Sequence, residues 1–333
     1  MKPTNVKSLV RSERLQLNIR RKEGKVISNY GVSLICRNEE DNIEECIRSI
    51  YTQTVKPVKV VVVDDGSTDR TSEILKKLSY EYDNLFYRTV NIPRLGLKGL
   101  NISMAIRLSL EEILSLSEVP YILRMDSDVK LDSPGLVKHL ITEMERDSSL
   151  GITGAVSNNF RFMPRHVTDA VRLYRRGCLS EVIASFPNKR YPVVHGHDSV
   201  MIFRARWLGW TIRPTRVYFN DKRPYRRRLK QWFALGLFRH VNGYPFSYVA
   251  ISTVQYINTT PYILGSLTAF LTYVIGFITN VNTYEEDYKA FMHKDLTETV
   301  VYRIRNVKKR FNVCPLSLLR YPQIRPRNTH NNA

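Results

Sequence analysis

The sequence predicts an α/β fold with a doubly wound, mostly parallel sheet, and three observations support this prediction. Apolar runs alternate with stretches of helical periodicity between residues 32 and 156. One run, Val60–Val63, has four consecutive β-branched residues, which suits a strand covered on both faces. Two runs end in aspartates, and the carboxyl ends of parallel strands form the sheet edge where α/β proteins bind ligands.

The elements of this region are predicted from hydrophobic periodicity, turn residues and helix caps. In chain order they are strand Val32–Cys36, a helix after Asn38, strand Val58–Val63, a helix after Asp69, strand Leu85–Val90, helix Leu100–Leu116, strand Val119–Met125, helix Pro134–Glu145 and strand Ile152–Val156. Between residues 157 and 220 the pattern defines no clear boundaries. Arg223–Arg239 is predicted as an amphipathic helix with apolar residues interleaved among arginines.

Positive charge is concentrated in a few segments. The 333 residues carry a net charge of +20, and residues 1–26, 204–239 and 299–333 hold more than this whole surplus. Segment 204–239 has Asp221 as its single acid. Such segments suit a polyanionic surface, either phospholipid headgroups or nucleic acid, although a merely solvated surface explains residues 1–26 equally well.

Cysteine usage and the N-terminal segment bear on the compartment. The four cysteines, Cys36, Cys46, Cys178 and Cys314, are far apart, so neither a zinc site nor a disulfide framework is predicted. Residues 1–28 have no uninterrupted apolar core of the kind that signal peptides need. We therefore expect a reducing compartment and a cytosolic N-terminal arm.

A long uncharged stretch extends from Val241 to Tyr284. Within it, Pro261–Val281 is apolar over 21 residues, which is long enough to cross a bilayer. A buried helix, or an amphipathic element lying on a membrane, is the alternative. Because basic segments flank both sides, the charge pattern favours a hairpin broken near Asn258–Pro261, or an interfacial element, with both ends cytoplasmic.

The motif Asp126-Ser127-Asp128 follows the predicted strand that ends at Met125. If the chain is extended there, the two aspartates project to the same side and can share a hard divalent cation such as Mg²⁺ or Mn²⁺. A metal held by one or two carboxylates keeps open positions that a diphosphate can fill. An isolated motif of this kind is usually a solvated turn, but its place after a buried strand favours function.

A second acidic turn, Asp64–Asp69, follows strand Val58–Val63. Turn and helix-cap chemistry requires only one of its two leading aspartates. The other is left to accept hydrogen bonds from a ligand, and nucleobase imino and ribose hydroxyl groups are suitable donors.

Four motifs in this order and spacing resemble the family 2 glycosyltransferases of GT-A fold, a Rossmann-like fold, over about residues 30 to 210. They are Val32-Ser33-Leu34-Ile35 followed by Asn38-Glu39, the Asp64–Asp69 turn, Lys98-Gly99-Leu100-Asn101 and Asp126-Ser127-Asp128. The resemblance implies donor contacts by Asn38, Glu39, Asp65, Lys98 and Asp126, with base contact at Asp65. It implies a metal bound by Asp126 and Asp128. The lysine turn is shorter than in the family, which leaves an ordinary surface lysine as the alternative for Lys98.

The resemblance also implies an acceptor side and a catalytic base. Gly196–Arg204 is similar to the family's acceptor stretch and brings in His197 and Asp198, although a structural role for the histidine is the alternative. For the base we place Asp221 slightly ahead of Asp198. Basic neighbours would lower the pKa of Asp221, which favours Asp198. The cluster Arg226, Arg227 and Arg228 would suit a phosphate-bearing acceptor, for which no base is required.

These observations predict a membrane-associated, metal-dependent glycosyltransferase that moves a sugar from a UDP- or GDP-sugar to a lipid-phosphate or glycan acceptor, with inversion. The predicted regions are a basic arm (1–29), a catalytic domain (30–220), a basic amphipathic helix (221–243), a hydrophobic membrane-associated segment (244–284) and a basic tail (285–333). We expect it at the cytoplasmic face of a membrane, anchored by residues 244–281.

Two other classes of protein are alternatives to a glycosyltransferase. A basic nucleic-acid-binding protein on an α/β scaffold fits the charge, but it has no need of the uncharged stretch. A nucleotidyltransferase of similar fold ranks last, because the sequence shows no glycine-rich, arginine-containing phosphate loop near the first strand.

Overall fold

A computed structural model describes residues 29–94, 96, 98–116, 119–157, 167–221, 228–258 and 261–311. For Lys98, Leu116, Asn220, Asp221 and residues 299–311 the description extends to the backbone only. The strands are β1 (Tyr30–Cys36), β2 (Lys59–Asp64), β3 (Leu85–Thr89), β4 (Tyr121–Asp126), β5 (Val129–Lys130), β6 (Leu150–Ser157), β7 (Val171–Arg175) and β8 (Thr211–Asp221).

The helices alternate with the strands in the first half of the chain and dominate the second half. They are α1 (Ile43–Tyr51), α2 (Thr71–Glu81), α3 (Lys98–Leu116), α4 (Leu136–Arg146), α5 (Arg176–Ala184), α6 (His197–Trp207), α7 (Leu229–Val241), α8 (Phe246–Gln255), α9 (Tyr262–Ile278) and α10 (Glu286–Phe311).

In the described residues the strands form one sheet in the order β3-β2-β1-β4-β7-β6-β8-β5. The first four strands of this order are parallel, and so are β6 and β8. Strand β7 is antiparallel to both of its neighbours, and β5 is antiparallel to β8. The predicted mixed α/β fold with a mostly parallel sheet is confirmed.

Both faces of the parallel strands are covered, as the run of β-branched residues predicts. Val60 and Val62 belong to the core that also contains Ile47 of α1 and Leu140 of α4. Val63 packs on the opposite face with Ala105 of α3. This two-sided burial holds the carboxyl ends of β1, β2 and β4 in fixed register.

The chain divides into two compact units. Within the described residues, the first comprises 29–93, 104–192 and 210–221, and the second comprises 94–103, 193–209 and 228–311. The first contains the sheet with α1, α2, α4, α5 and most of α3. The second is helical, with α6 to α10 and the first six residues of α3.

The structure differs from the sequence prediction at three places. The first helix begins at Ile43, with Asn42 rather than Asn38 at its N-terminal boundary. The amphipathic helix predicted over Arg223–Arg239 is α7, which spans Leu229–Val241. Across the described ranges, no helix has both the length and the apolar character that crossing a bilayer requires.

Helix α8 ends at Gln255 and α9 begins at Tyr262, so the uncharged stretch is divided between separate helices. A hairpin at a membrane stays a prediction.

Candidate active site

Strand register places the two acidic motifs on either side of β1. Cys36 at the end of β1 lies opposite Asp64 of β2. On the other side, Ile35 of β1 lies opposite Asp126 of β4. Adjacent strands are about 4.8 Å apart, so these two motifs lie roughly 10 Å from each other along one sheet edge. Ligands bind at such an edge in open α/β sheets.

Asp64 holds the turn that follows β2. Its Oδ1 accepts hydrogen bonds from the Ser67 amide (3.0 Å) and hydroxyl (2.6 Å), and its Oδ2 accepts one from the Ser72 hydroxyl (2.6 Å). The carboxylate is fully buried. Gly66 adopts φ +62°, and a Cβ there would overlap the Asn91 side chain, so this turn requires glycine.

Asp65 stands apart from this turn network. Its Oδ1 accepts a hydrogen bond from the Ile92 amide (3.1 Å), and its Oδ2 lies 3.8 Å from the Arg37 guanidinium. Burial raises the pKa of the Asp65 carboxyl, and the Ile92 amide and Arg37 oppose that shift. The sequence predicts that one of the two aspartates holds the turn, and the contacts of Asp64 agree with that role.

Arg37 was not singled out by the sequence analysis. Its guanidinium donates to the Asp65 carbonyl oxygen at 2.5 Å and its side chain keeps 39% exposure. It therefore places a partly exposed cation at the edge of the sheet beside Asp65. The signal in the sequence was an arginine directly after the first strand, at the same edge as the two acidic turns.

Asn38 and Glu39 brace the Asp64–Asp69 turn from the end of β1. The Asn38 Oδ1 accepts a hydrogen bond from the Thr68 backbone amide (2.8 Å), and the Asn38 backbone amide donates to the Ser67 hydroxyl (2.9 Å). The Glu39 amide donates to the Thr71 hydroxyl (2.8 Å). Asn38 has φ +52°, a conformation that asparagine tolerates better than most residues. These contacts brace the Asp64–Asp69 turn; direct donor contact by Asn38 or Glu39 stays a prediction.

Asp126 is paired with a buried arginine of its own strand. Arg124 Nη1 lies 2.5 Å from Asp126 Oδ1 and 3.2 Å from Asp169 Oδ2. The Arg124 side chain is 3% exposed, whereas that of Asp126 is 40% exposed. Arg172, also buried, lies 3.1 Å from Asp169 Oδ1. The candidate ligand residue thus faces solvent on one side and a charged cluster on the other.

This cluster of Arg124, Asp169 and Arg172 was missed by the sequence analysis. Its signal was Arg124 inside the apolar run of β4, together with Arg172 between Val171 and Leu173 in β7. A buried arginine needs an acidic partner, because an unpaired buried charge is costly. Asp169, just before β7, supplies that partner to both.

The chain is not extended between Asp126 and Asp128. Asp126 ends β4, and Ser127 and Asp128 form the turn that leads into β5. The condition under which both carboxylates project to one side is therefore not met by the backbone. Within the part of the chain that the structure describes, no three His, Cys, Asp or Glu residues are grouped so as to hold a metal ion.

The donor set at this turn still fits a metal that takes most of its ligands from a substrate. Asp126 and Asp128 are carboxylates of partial exposure, and hard oxygen ligands suit Mg²⁺ and Mn²⁺. Mg²⁺ commonly uses one or two carboxylates together with substrate phosphates and water.

Asp221 is the last residue of β8, and its backbone pairs with Val129 of β5. Val129 follows Asp128 directly, so the backbone of Asp221 lies next to the turn that carries the Asp-x-Asp motif. Lys98 is the first residue of α3, whose start is two residues earlier than predicted.

His197 and Asp198 open α6 in the second unit. Gly196 precedes them with φ +76°, and His197 is 7% exposed. Further along this helix, Arg204 is fully buried, lies 2.6 Å from Glu285 Oε2 and stacks near the rings of Tyr284 and Tyr288. The arginine of the predicted acceptor stretch thus has a packing role between α6 and the start of α10.

Of the predicted phosphate-binding cluster, Arg228 is exposed at the N-terminal boundary of α7, where its amide donates to the Gln231 side chain at 2.8 Å. Arg226 and Arg227 lie outside the described residues.

Several proteins of known class are similar to this chain. A glycosyltransferase of Haemophilus influenzae, itself uncharacterized, is 24% identical over 226 residues, which is 64% of this chain and 62% of that protein. The poly(ribitol-phosphate) beta-glucosyltransferase of Bacillus spizizenii is 31% identical over 132 residues, 38% of this chain and 19% of that protein. The chain thus spans less than two thirds of the length of these curated relatives.

Solved structures with a similar arrangement include mannosyltransferase PcManGT from Pyrobaculum calidifontis, in complex with GDP-Man and Mn²⁺. It has a TM-score of 0.49 and 13% identity, over 92% of this chain and 98% of that chain. S. aureus TarS 1-349 in complex with UDP-GlcNAc has a TM-score of 0.47 and 18% identity, over 80% of each chain.

The family model of glycosyl transferase family 2 matches residues 32–208, more than half of the 333 residues. The matched region contains β2, β4 and most of β1, together with both acidic motifs, and it ends before Asp221. The chain belongs to glycosyl transferase family 2.

Proposed function

We propose that this protein is a metal-dependent, inverting glycosyltransferase that uses a UDP- or GDP-sugar as its donor and a lipid-phosphate or glycan as its acceptor. The observation that carries the proposal is the register of β1, which sets Asp64-Asp65 on one side and Asp126 on the other. The spacing of roughly 10 Å suits a nucleoside diphosphate that lies along the sheet edge.

In this proposal Asp65 accepts hydrogen bonds from the nucleobase, and Asp126 contacts the ribose. A carboxylate is an acceptor only, so it selects for donor groups such as the imino N–H of uracil or guanine. Lys98, at the first turn of α3, is proposed to contact the diphosphate or the sugar. The partly exposed Arg37 beside Asp65 adds a cation at the nucleotide end of the site.

Asp128, with Asp126, would hold Mn²⁺ or Mg²⁺. Bound there, the metal would neutralise charge on the departing diphosphate. The Arg124 guanidinium forms an ion pair with the Asp126 carboxylate, which limits the rotation of that side chain.

For a hydroxyl acceptor, a carboxylate takes the proton while the acceptor oxygen bonds to the anomeric carbon and the bond to the diphosphate oxygen breaks. Asp221 is proposed as this base, because its backbone pairs with Val129 directly after Asp128. Asp198, in the first turn of α6, is the alternative, and His197 with Arg226, Arg227 and Arg228 is proposed to bind the acceptor. A lipid-phosphate acceptor is already anionic and needs no base.

The test is release of nucleoside diphosphate from a panel of UDP- and GDP-sugars, with a polyprenyl phosphate or a glycan as acceptor. We expect turnover with Mn²⁺ or Mg²⁺ and loss of turnover with EDTA. With a hydroxyl acceptor, Asp221→Asn should lower kcat about 10²-fold or more while the donor KM stays unchanged. Full turnover in EDTA would contradict the proposal, and a loss of kcat in Asp198→Asn alone would move the base to Asp198.

We further propose that the enzyme works at the cytoplasmic face of a membrane, anchored within residues 244–281. The absence of charge from Val241 to Tyr284 and the basic segments on both sides support this location.

A further inference from the structure

In most soluble helices large apolar side chains face the core and small or polar side chains face solvent. Helix α9 largely reverses this arrangement. Its buried side carries mostly small or hydroxyl-bearing residues, namely Gly265, Ser266, Ala269, Thr272, Tyr273 and Gly276. Its outward side carries large aliphatic residues, and we call these the outward stripe: Ile263, Leu264, Leu267, Leu271, Ile275 and Ile278.

The buried side of α9 packs closely along α7. A Cβ added at Gly265 would overlap Trp232, one at Gly236 would overlap the Ala269 carbonyl, and one at Gly276 would overlap His240. These contacts advance together along both helices, so α7 and α9 run in the same direction with their backbones in close approach. Small residues permit such approach, and helix pairs in membranes use the same device.

Two further side-chain contacts hold α9, and the residues directly after it, against Tyr244 and α7. The Tyr273 hydroxyl donates to the Tyr244 carbonyl at 2.7 Å, and His240 Nε2 lies 3.1 Å from the Val281 carbonyl. The outward stripe is therefore presented by a firmly packed helix. Its residues recur every one to four positions along the 17-residue helix, about 25 Å in length.

The apolar surface continues beyond α9. Leu229 and Phe233 are exposed on α7, close to the end where Trp232 meets Gly265. Phe246 of α8 is exposed and contacts Phe270 of α9 edge-on at 5.8 Å. Soluble monomers seldom expose so many large apolar side chains on one helix and its neighbours, so these side chains are expected to be covered in the working protein.

Charge beside this surface identifies what covers it. Arg228 and Lys230 are exposed on either side of Leu229 at the start of α7. A second copy of the chain would bring its own positive charges to the contact, whereas an anionic headgroup layer supplies the opposite charge. Apolar and basic side chains on one surface are the combination that binds the headgroup–acyl boundary of a bilayer.

We infer that α7 and α9 lie in the plane of an anionic lipid surface, with the outward stripe immersed at the headgroup–acyl boundary. This inference rests on the proposed membrane location and specifies its geometry: α9 lies along the bilayer, and α7 lies beside α9 with the exposed Arg228 and Lys230 at its start. It requires no contribution from the donor site.

The experiment is flotation of the full-length protein with vesicles of neutral phosphatidylcholine, and with vesicles that contain an anionic phospholipid. We expect binding that is stronger on anionic vesicles and is reduced by salt. The variant Leu267→Gln/Leu271→Gln should lower the partition coefficient about tenfold or more, since it removes two immersed aliphatic side chains. The matched control, Val58→Gln/Tyr80→Gln, changes two exposed apolar residues of the first unit and should bind like wild type.

Three outcomes would overturn the inference. One is unchanged vesicle binding by the α9 variant. Another is equal loss in the control. The third is a wild-type protein that ignores vesicles and is dimeric in solution, with the α9 variant monomeric, which would assign the stripe to a second copy. Nucleotide binding measured on the same samples separates these results from failure of the proposed function, because the α9 substitutions leave the sheet edge intact.

Discussion

The sheet of the first unit and helix α9 of the second unit differ in where they place large and small side chains. In the first unit, aliphatic residues such as Val60, Val62 and Leu140 fill the core, and polar residues gather at one sheet edge. In the second unit, glycines and alanine lie inside the α7–α9 contact, while Leu267 and Leu271 face outward. The burial of apolar surface drives the first arrangement in water.

We propose that the sheet edge serves a polar ligand, because it concentrates charge, and that the outward stripe serves a lipid phase, because it exposes apolar area. On that proposal, substitutions in one unit should leave the binding property of the other unit unchanged, and the predictions that follow test this independence.

The largest effect is expected at the sheet edge. Asp128→Asn should lower sugar transfer about 10³-fold, because the proposed metal loses a charged ligand and the leaving diphosphate loses its stabilisation. Steady-state assays with saturating Mn²⁺ measure this, and the exposed Asp41→Asn serves as the control. Vesicle binding should not change. An active Asp128→Asn enzyme would place the metal elsewhere.

The next largest effect is expected from the cluster of Arg124, Asp169 and Arg172, which contacts Asp126 through Arg124. Arg124→Met should cost about 3–5 kcal/mol of unfolding free energy, since Asp169 would lose a buried partner. Urea unfolding is the measurement. Arg146→Met is the control, because Arg146 is paired at the surface with Glu143 and its loss should cost less than about 0.5 kcal/mol. Equal values for both variants would show that the cluster carries no special stability.

A smaller loss is expected from the helix contact of the second unit. Gly236→Val should destabilise the fold by about 1–3 kcal/mol, because the side chain would overlap the Ala269 carbonyl. Gly177→Ala, in α5 with open space around it, should instead be neutral or stabilising. Thermal unfolding of both variants gives the comparison. A tolerated valine at 236 would mean that α7 and α9 are not held in close contact.

The smallest effect is the pH dependence of stability at Asp65. Because burial raises the pKa of this carboxyl, the native state binds its proton more tightly than the unfolded chain does. The unfolding free energy should then fall slightly as pH rises from the ordinary carboxyl pKa through the raised one. Asp65→Asn should remove this part of the pH profile, whereas the exposed Asp83→Asn should keep it. A profile unchanged in Asp65→Asn would contradict the assignment.

The parallel part of the fold could be predicted closely from the sequence. The first four strands match within about two residues, because buried β-branched runs such as Val60–Val63 have few other interpretations. Strand β7 was not predicted, since Arg172 and Arg175 interrupt its apolar pattern. Arg172 pairs with the nearby Asp169, but Arg175 donates to the carbonyls of Met144 and Leu150, which are distant in sequence and depend on the tertiary fold.

The candidate site was predictable as a set of acids but not as a network. Sequence spacing identified Asp64, Asp65, Asp126 and Asp128, because strand ends are legible in the hydrophobic pattern. The pairing of Arg124 with Asp169, and the backbone pairing of Asp221 with Val129, depend on tertiary contacts that local sequence does not encode.

The most direct test of the donor site is isothermal titration calorimetry of UDP and GDP into wild-type protein and Asp128→Asn, with and without Mn²⁺. We expect the wild-type protein to bind one of the two nucleotides when Mn²⁺ is present. Binding should weaken at least tenfold when Mn²⁺ is omitted or Asp128 is replaced. Equal affinity in all of these conditions, or binding of neither nucleotide, would contradict this expectation.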